Sequence, residues 1–298
     1  MGAALPRDPR EGGGSLVTFD TPEAIAVSIE IGGGDVRVAA TDRRDTTVEV
    51  RPGDAVRSTD VAAARQTVVD FAGGVLQIRT PRRRLWYTLV GPGRDSVDVE
   101  VAVPAGSSLR VDAGFGAIRC AGELRECEIR TGGGEIMVEA AGALSVRTGI
   151  GNITVERTRG RTEVRTGTGA VRIGAVLGAA SIRNSNGSTW VGEISDDLEV
   201  RAANGRIAVD RAGASVAAHT ACGDIVIGEV GGGAVSAGTS MGRVEVGVRR
   251  GIAAWLDLQT RAGKVINELQ GGGPPQPGEG TVEVRARTPF GDITVRRA

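Results

Sequence analysis

One glycine sets the terms for what this chain can become. It heads a Gly-x-Ile/Val phrase (once Gly-x-Thr) at Gly116, Gly134, Gly151, Gly169, Gly187, Gly205, Gly223, Gly242, Gly263 and Gly291. Successive steps are 18, 17, 18, 18, 18, 18, 19, 21 and 28 residues, so five of nine are eighteen. A fixed period of this length marks a repeat architecture, in which one small supersecondary unit stacks on the next.

The side chains inside each unit alternate. Two residues past the glycine stand Ile118, Ile136, Ile153, Val171, Thr189, Ile207, Ile225, Val244 and Val265; five before it stand Ile129, Val146, Val164, Ile182 and Val200. Period-two alternation of β-branched residues predicts strands with one buried face. A second turn column follows about nine residues after the first, at Gly122, Gly142, Gly160, Gly178, Gly213, Gly232 and Gly251. Each unit therefore holds two short strands and two tight turns. One such unit cannot bury its apolar face alone, whereas stacked units bury a continuous column. Amphipathic helices of the same period are excluded by the Gly and β-branched residues that crowd every unit.

The expected fold is all-β: a parallel β-solenoid, or β-helix, of 18-residue coils, each rung hydrogen-bonded to the next. The general rule for parallel crossovers makes it right-handed. Nine or ten coils at about 4.8 Å per rung give a rod on the order of 45 Å long. Residues 1–14 read as a disordered tail and 15–96 as a less regular capping and entry region. Residues 97–298 read as the solenoid proper, with a loop insertion over 270–280 before the last coil. Within the entry region, residues 27–51 contain an early coil on Gly34-Asp35-Val36, "DVAAARQ" suits a helical turn, and Gly73-Gly74 suits a hairpin.

The recurring Thr-Gly-x-Gly-x-Ile-x-Val phrase, as in "RTGIGNITV" and "RTPFGDITV", resembles the bacterial putative-adhesin β-strand-repeat proteins, a domain-of-unknown-function family. The resemblance covers about residues 17–298. It implies a right-handed β-helix and an adhesin role, and it brings no catalytic residues with it.

Composition narrows the functional classes. Aromatics are 3% of the chain, so the core must be Val, Ile, Leu and Ala. Basic and acidic residues balance at 36 each, which argues against nucleic acid as a partner. No apolar run reaches the length of a signal peptide or a membrane span, so a cytoplasmic location is expected; surface attachment would need an unrecognised export route. Three cysteines make no disulfide framework; Cys120 and Cys127 fall in inward columns and Cys222 in a turn.

Several constellations invite a chemical reading. Four residues before each marker glycine runs a column of Arg130, Arg147, Arg165, Arg183, Arg201 and His219. Two residues upstream lie Glu128, Ser145, Glu163, Ser181 and Glu199, so the expected reading is a solvated ladder that carries its own counterions. The adjoining column (Thr131, Thr148, Thr166, Asn184, Ala202, Thr220, Thr239, Thr260, Thr288) is expected to satisfy backbone groups at the turns. His219 is the only histidine, so no His-based triad or His-rich metal site can be built. No Gly-x-Gly turn has a phosphate loop's Lys-Ser/Thr ending. No catalytic residue, cofactor or metal is expected.

What remains is binding. Trp190 occupies an outward column one rung from Arg172, and the sequence places it near Arg183 and Arg201 around the turn. An aromatic centre with an arginine rim is a usual composition of interaction sites. Trp86 and Tyr87, beside three arginines in "RRRLWYTLV", form a second candidate. The functional expectation is a non-enzymatic scaffold or binding platform whose partner is a protein or another copy of the chain, not a small molecule. The alternatives are a self-assembling, polymer-forming or adhesin-like β-helix and a carbohydrate-active enzyme.

Overall fold

The computed structural model describes residues 15–81, 95–269 and 280–298. The entry region contains β1 (Ser15–Asp20), β2 (Ala26–Ile31), β3 (Val36–Thr41), β4 (Asp45–Pro52), α1 (Ser58–Gln66), β5 (Val68–Ala72), β6 (Val75–Arg79) and β7 (Val97–Pro104). The coils follow as β8 (Ser108–Phe115), β9 (Ile118–Gly133), β10 (Ile136–Ile150), β11 (Ile153–Thr158), β12 (Thr162–Thr168), β13 (Val171–Val176) and β14 (Ala180–Asn186). Then come β15 (Thr189–Ile194), β16 (Leu198–Asn204), β17 (Ile207–Ala212), β18 (Val216–Cys222), β19 (Ile225–Val230) and β20 (Gly233–Met241). The last strands are β21 (Val244–Val248), β22 (Ala253–Ala262), β23 (Val265–Asn267), β24 (Thr281–Phe290) and β25 (Ile293–Arg297).

Two parallel ladders run the length of the molecule. The first joins β7, β3, β9, β10, β11, β13, β15, β17, β19, β21, β25 and β23. The second joins β6, β2, β8, β9, β10, β12, β14, β16, β18, β20, β24 and β22. The long strands β9 and β10 turn the corner and give one half to each ladder. This is the parallel β-solenoid that the period predicts.

The inward columns meet between the ladders. Ile118, Ile136, Ile153, Val171, Ile207, Ile225, Val244 and Ile293 are buried from one side, and Ile129, Val146, Val164, Ile182 and Val200 from the other. Each side chain rests on a like one in the next rung, and burying each is worth about 1.5–3 kcal/mol. No aromatic belongs to this buried set among the described residues. Small β-branched residues fill a space two strands wide where a ring would not.

The marker glycines are fixed by the stacking itself. Gly134 has φ 133°, and a Cβ on it would lie 1.9 Å from the carbonyl oxygen of Gly116 one rung below. The neighbouring column behaves as its sequence suggests. Thr131 donates to the Gly133 carbonyl, Thr239 to Gly223, and Asn184 to Gly169 and Gly187. These bonds tie each turn to itself and to the rung before it.

The rungs do not all follow chain order, which corrects the expectation of a strictly sequential stack. The coil of β24 and β25 lies between that of β20 and β21 and that of β22 and β23. The reason is burial on both sides. Val282, Val284 and Ala286 of β24 are fully buried, as an interior rung requires. Leu256 and Leu258 of β22 are only partly buried and Trp255 is 59% exposed, which suits an outermost rung. The final step of 28 residues between marker glycines gives the chain the length to return. The other end is similar, because β2 and β3 sit between β6 and β7 and the pair β8 and β9.

The N-terminal end stops differently. Here β4 pairs antiparallel with β7, β1 with β4, and β5 with β6 through the Gly73-Gly74 turn. Helix α1 packs on β4 and β7. Antiparallel strands and a helix cover a parallel edge that would otherwise template further strands.

Candidate functional site

The sequence-derived site separates into two places. Arg172 and Trp190 are register partners on β13 and β15, and the guanidinium carbon lies 5.1 Å from the ring centroid. The indole N–H donates to Asp210 at 3.1 Å. The ring leans across Gly192, where a Cβ would come within 3.1 Å of Trp190 Cη2. Arg172, Arg206 and Asp210 border a recess of about 340 Å³ around it. Trp190 is thus half-buried, stacked and hydrogen-bonded within its own ladder, which makes it a brace across three rungs.

Arg183 and Arg201 belong to the other ladder, on β14 and β16. The structure does not bring them to Trp190. The sequence places them close because only a turn separates β14 from β15, but the two strands carry their outward side chains on different faces of the coil. Trp86 and Tyr87 lie outside the described residues.

Arg183 instead lines an open groove of about 560 Å³ with Arg130, Arg147 and Arg165. These four are consecutive register partners on β9, β10, β12 and β14, so their spacing is one rung, about 4.8 Å. Beside them stand Gly132, Gly149, Gly167 and Ser185, with Asp112 at one end of the groove and the Phe115 ring against Gly132. The expected self-neutralised ladder holds only at its ends. Arg130 pairs with Glu128 at 2.5 Å and Arg201 with Glu199 at 2.7 Å. Between them Arg147, Arg165 and Arg183 are exposed and have no ion pair or hydrogen bond among the described residues.

The cause lies in the flanking column. Arg147 and Arg183 have Ser145 and Ser181 where their neighbours have glutamate, and Glu163 beside Arg165 is held by Arg161 at 2.7 Å. That hydrogen bond, helped by the charges of Arg161, Arg165 and Arg147, holds the Glu163 carboxyl below its usual range. At the far end of the column His219 follows Arg201 in register. Burial and the Arg201 charge push its imidazole below the usual value, against a smaller opposing effect of Glu199.

The remaining candidates are structural in their surroundings. Cys120 and Cys127 are buried free thiols; a hydrogen bond between them and burial push Cys127 well up. Cys222 is free and exposed. Among the described residues no cluster of three or more His, Cys, Asp or Glu could hold a metal. No helix among them is long and apolar enough to cross a membrane.

Comparison with solved structures returns matches of low sequence identity. A putative adhesin from Parabacteroides merdae is 12% identical, with a TM-score of 0.34 over 96% of this chain and 97% of its own. A putative adhesin from Bacteroides fragilis is 9% identical, with a TM-score of 0.31 over 96% and 98%. A putative lipid binding protein from Parabacteroides distasonis is 14% identical, with a TM-score of 0.31 over 96% and 97%. No curated protein matches in sequence. The Toastrack DUF4097 family matches residues 24–265, most of the coils described above, and the chain belongs to that family.

Proposed function

We propose that the chain is a non-catalytic scaffold that binds an extended anionic macromolecule along the second ladder. The observation that carries this reading is the run of Arg147, Arg165 and Arg183, three consecutive rungs whose guanidinium groups make no direct ion pair or side-chain hydrogen bond among the described residues, the nearby Glu163 carboxylate being held by Arg161. Other arginines of the rod are ion-paired, as Arg159 is with Glu123 and Arg211 with Glu193. An exposed arginine fork left unpaired in a groove is a preorganised anion receptor. The rigid stack beneath holds the three guanidinium stems in line, so little ordering is needed on binding.

Arginine footprinting with phenylglyoxal tests this reading. In extract from the source cells, Arg147, Arg165 and Arg183 should be shielded relative to the purified chain, while the ion-paired Arg159 and Arg211 should change little. Equal labelling of all five in both settings would contradict it.

A second reading has its own observation. The outermost strand β22 pairs only with β24 among the described residues, which leaves one edge free to meet another copy. Light scattering across a concentration series should then show growth in mass that Leu256→Lys abolishes.

A further inference from the structure

We infer that two copies of this chain join end to end through their outermost rungs, about a two-fold axis, and stop there as a dimer. This rests on the self-association reading above and names the partner surface. The two ends of the rod differ in what they leave open. At the N-terminal end the inward Leu76 and Ile78 of β6 and Val99 and Val101 of β7 are buried. There Phe19 also packs on Phe71 across the edge strands, with ring centroids 5.3 Å apart. At the other end Leu256 and Leu258 of β22 are only partly buried, and Val265 of β23 is 46% exposed. Among the described residues β22 pairs only with β24, and β23 only with β25. A head-to-tail contact needs two open ends and grows into a filament. With one open end the contact joins like to like, and it closes at two copies.

Symmetry then fixes the pairing. β22 has ten residues and β23 three, so lengths match only when each strand meets its own copy. A two-fold axis across the junction makes these pairs antiparallel. Inward residues face inward ones only if that axis passes through a residue rather than between two. Within a coil, the residue three before the marker glycine faces the one two after it, as Asn184 faces Thr189 at 3.4 Å. Gln259 and Ile266, four before and three after Gly263, therefore stand across the coil from each other. One axis through both centres both ladders.

Charge selects this axis from its neighbours. It sets Asp257 opposite Arg261 of the second copy and Lys264 opposite Glu268 of the second copy, each twice. Moved by one residue, to Leu258 and Asn267 or to Thr260 and Val265, it pairs none of the four. Moved to Asp257 and Glu268, it brings like carboxylates face to face. Arg261, Lys264 and Glu268 are exposed, and their side chains make no ion pair among the described residues. Asp257 has Arg287 of its own chain at 3.4 Å.

Sedimentation equilibrium and cysteine cross-linking test the assignment. As concentration rises the parent should approach the mass of two chains and go no further. In a Cys222→Ser background, Gln259→Cys and Ile266→Cys should each form an interchain disulfide on mild oxidation. Residues on the axis have Cα atoms about 4.5–5.5 Å apart, within disulfide reach. Lys264→Cys should not cross-link, because its two copies lie about 13 Å apart along the strands. Arg261→Glu should raise the dimer Kd at least about tenfold, by turning two attractions into two repulsions. Arg65→Glu, on helix α1 at the far end, should leave it within about twofold. If Arg261→Glu unsettles the fold, the Ile266→Cys cross-link still decides. Growth past two chains would overturn the closed dimer while leaving self-association in place. A dimer that cross-links from Lys264→Cys but not from Gln259→Cys or Ile266→Cys would do the same to the axis. A chain that stays monomeric at every concentration would end both readings.

Discussion

Thr260 donates its hydroxyl to the carbonyl of Gly291 at 2.9 Å, across 31 positions of sequence, and Thr288 donates to Gly242 at 3.0 Å, across 46. The two bonds place the last coil of the chain inside the last coil of the rod. A disulfide trap separates this order from a sequential one. Ser236 and Asp257 both have Arg285 as their register partner, one on each side. In a Cys222→Ser background, Asp257→Cys with Arg285→Cys should cross-link on mild oxidation. Ser236→Cys with Asp257→Cys should not, because two rungs put them about 9.6 Å apart, beyond disulfide reach. A sequential stack would let Ser236→Cys with Asp257→Cys cross-link as well, so that second pair decides between the two orders.

The turn glycines should be intolerant for a reason that loop flexibility does not supply. Gly187 has φ 137°, and its Cβ would meet the Gly169 carbonyl oxygen at 2.1 Å. Gly187→Ala should cost more than about 3 kcal/mol, combining backbone strain with a clash that displaces a whole rung. Gly73 also has a positive φ, 58°, but nothing lies within 4 Å of its Cβ. Gly73→Ala should cost only about 1 kcal/mol. Urea midpoints decide it, and similar losses at both positions would contradict the stacking account.

Trp190 should behave as a brace. Trp190→Ala is expected to cost about 1–3 kcal/mol, for lost ring contacts and an Asp210 carboxylate left without its donor. A double-mutant cycle with Arg172→Ala should return a coupling of about 0.5–1 kcal/mol. An unchanged unfolding midpoint in Trp190→Ala would return the ring to the list of binding candidates.

The pH dependence follows from His219, the only histidine. Its folded value lies below the ordinary 6.5, so the folded state resists protonation more than the unfolded chain does. Its share of stability is therefore complete above that ordinary value and is lost as pH falls through the folded value. Chemical unfolding between pH 7.5 and about 5.5 should show stability declining toward acid, and His219→Asn should flatten the decline. A parent chain as stable at the lower pH as at the higher would refute the assignment.

The coils were legible because their information is repeated: each inward Ile or Val is confirmed by its counterpart one period away. The contact of Trp190 with Arg172 was legible for the same reason, since the two residues share a column on adjacent rungs. Proximity in sequence misled where it replaced column arithmetic. Arg183 is seven positions from Trp190 yet stands on a different ladder. Coil order was not legible, because β22 and β24 carry the same alternation and only the long final step and the exposed Trp255 distinguish them. Nor were the unpaired arginines, since Glu163 could have met Arg165 on its own strand and instead meets Arg161. That choice rests on side-chain geometry.

The central claim is that a partner lies along the arginine groove. Photo-cross-linking from single positions in the source cells tests it most directly. Benzoylphenylalanine placed at Ser145 or Ser181, in the column beside the unpaired arginines on the rungs of Arg147 and Arg183, should yield a discrete adduct. The same group at Thr154, outward on the first ladder, should not. Replacing Arg147, Arg165 and Arg183 with Gln should abolish the adducts from Ser145 and Ser181. Adducts that form only from Thr154, or that survive loss of the three arginines, would contradict the account.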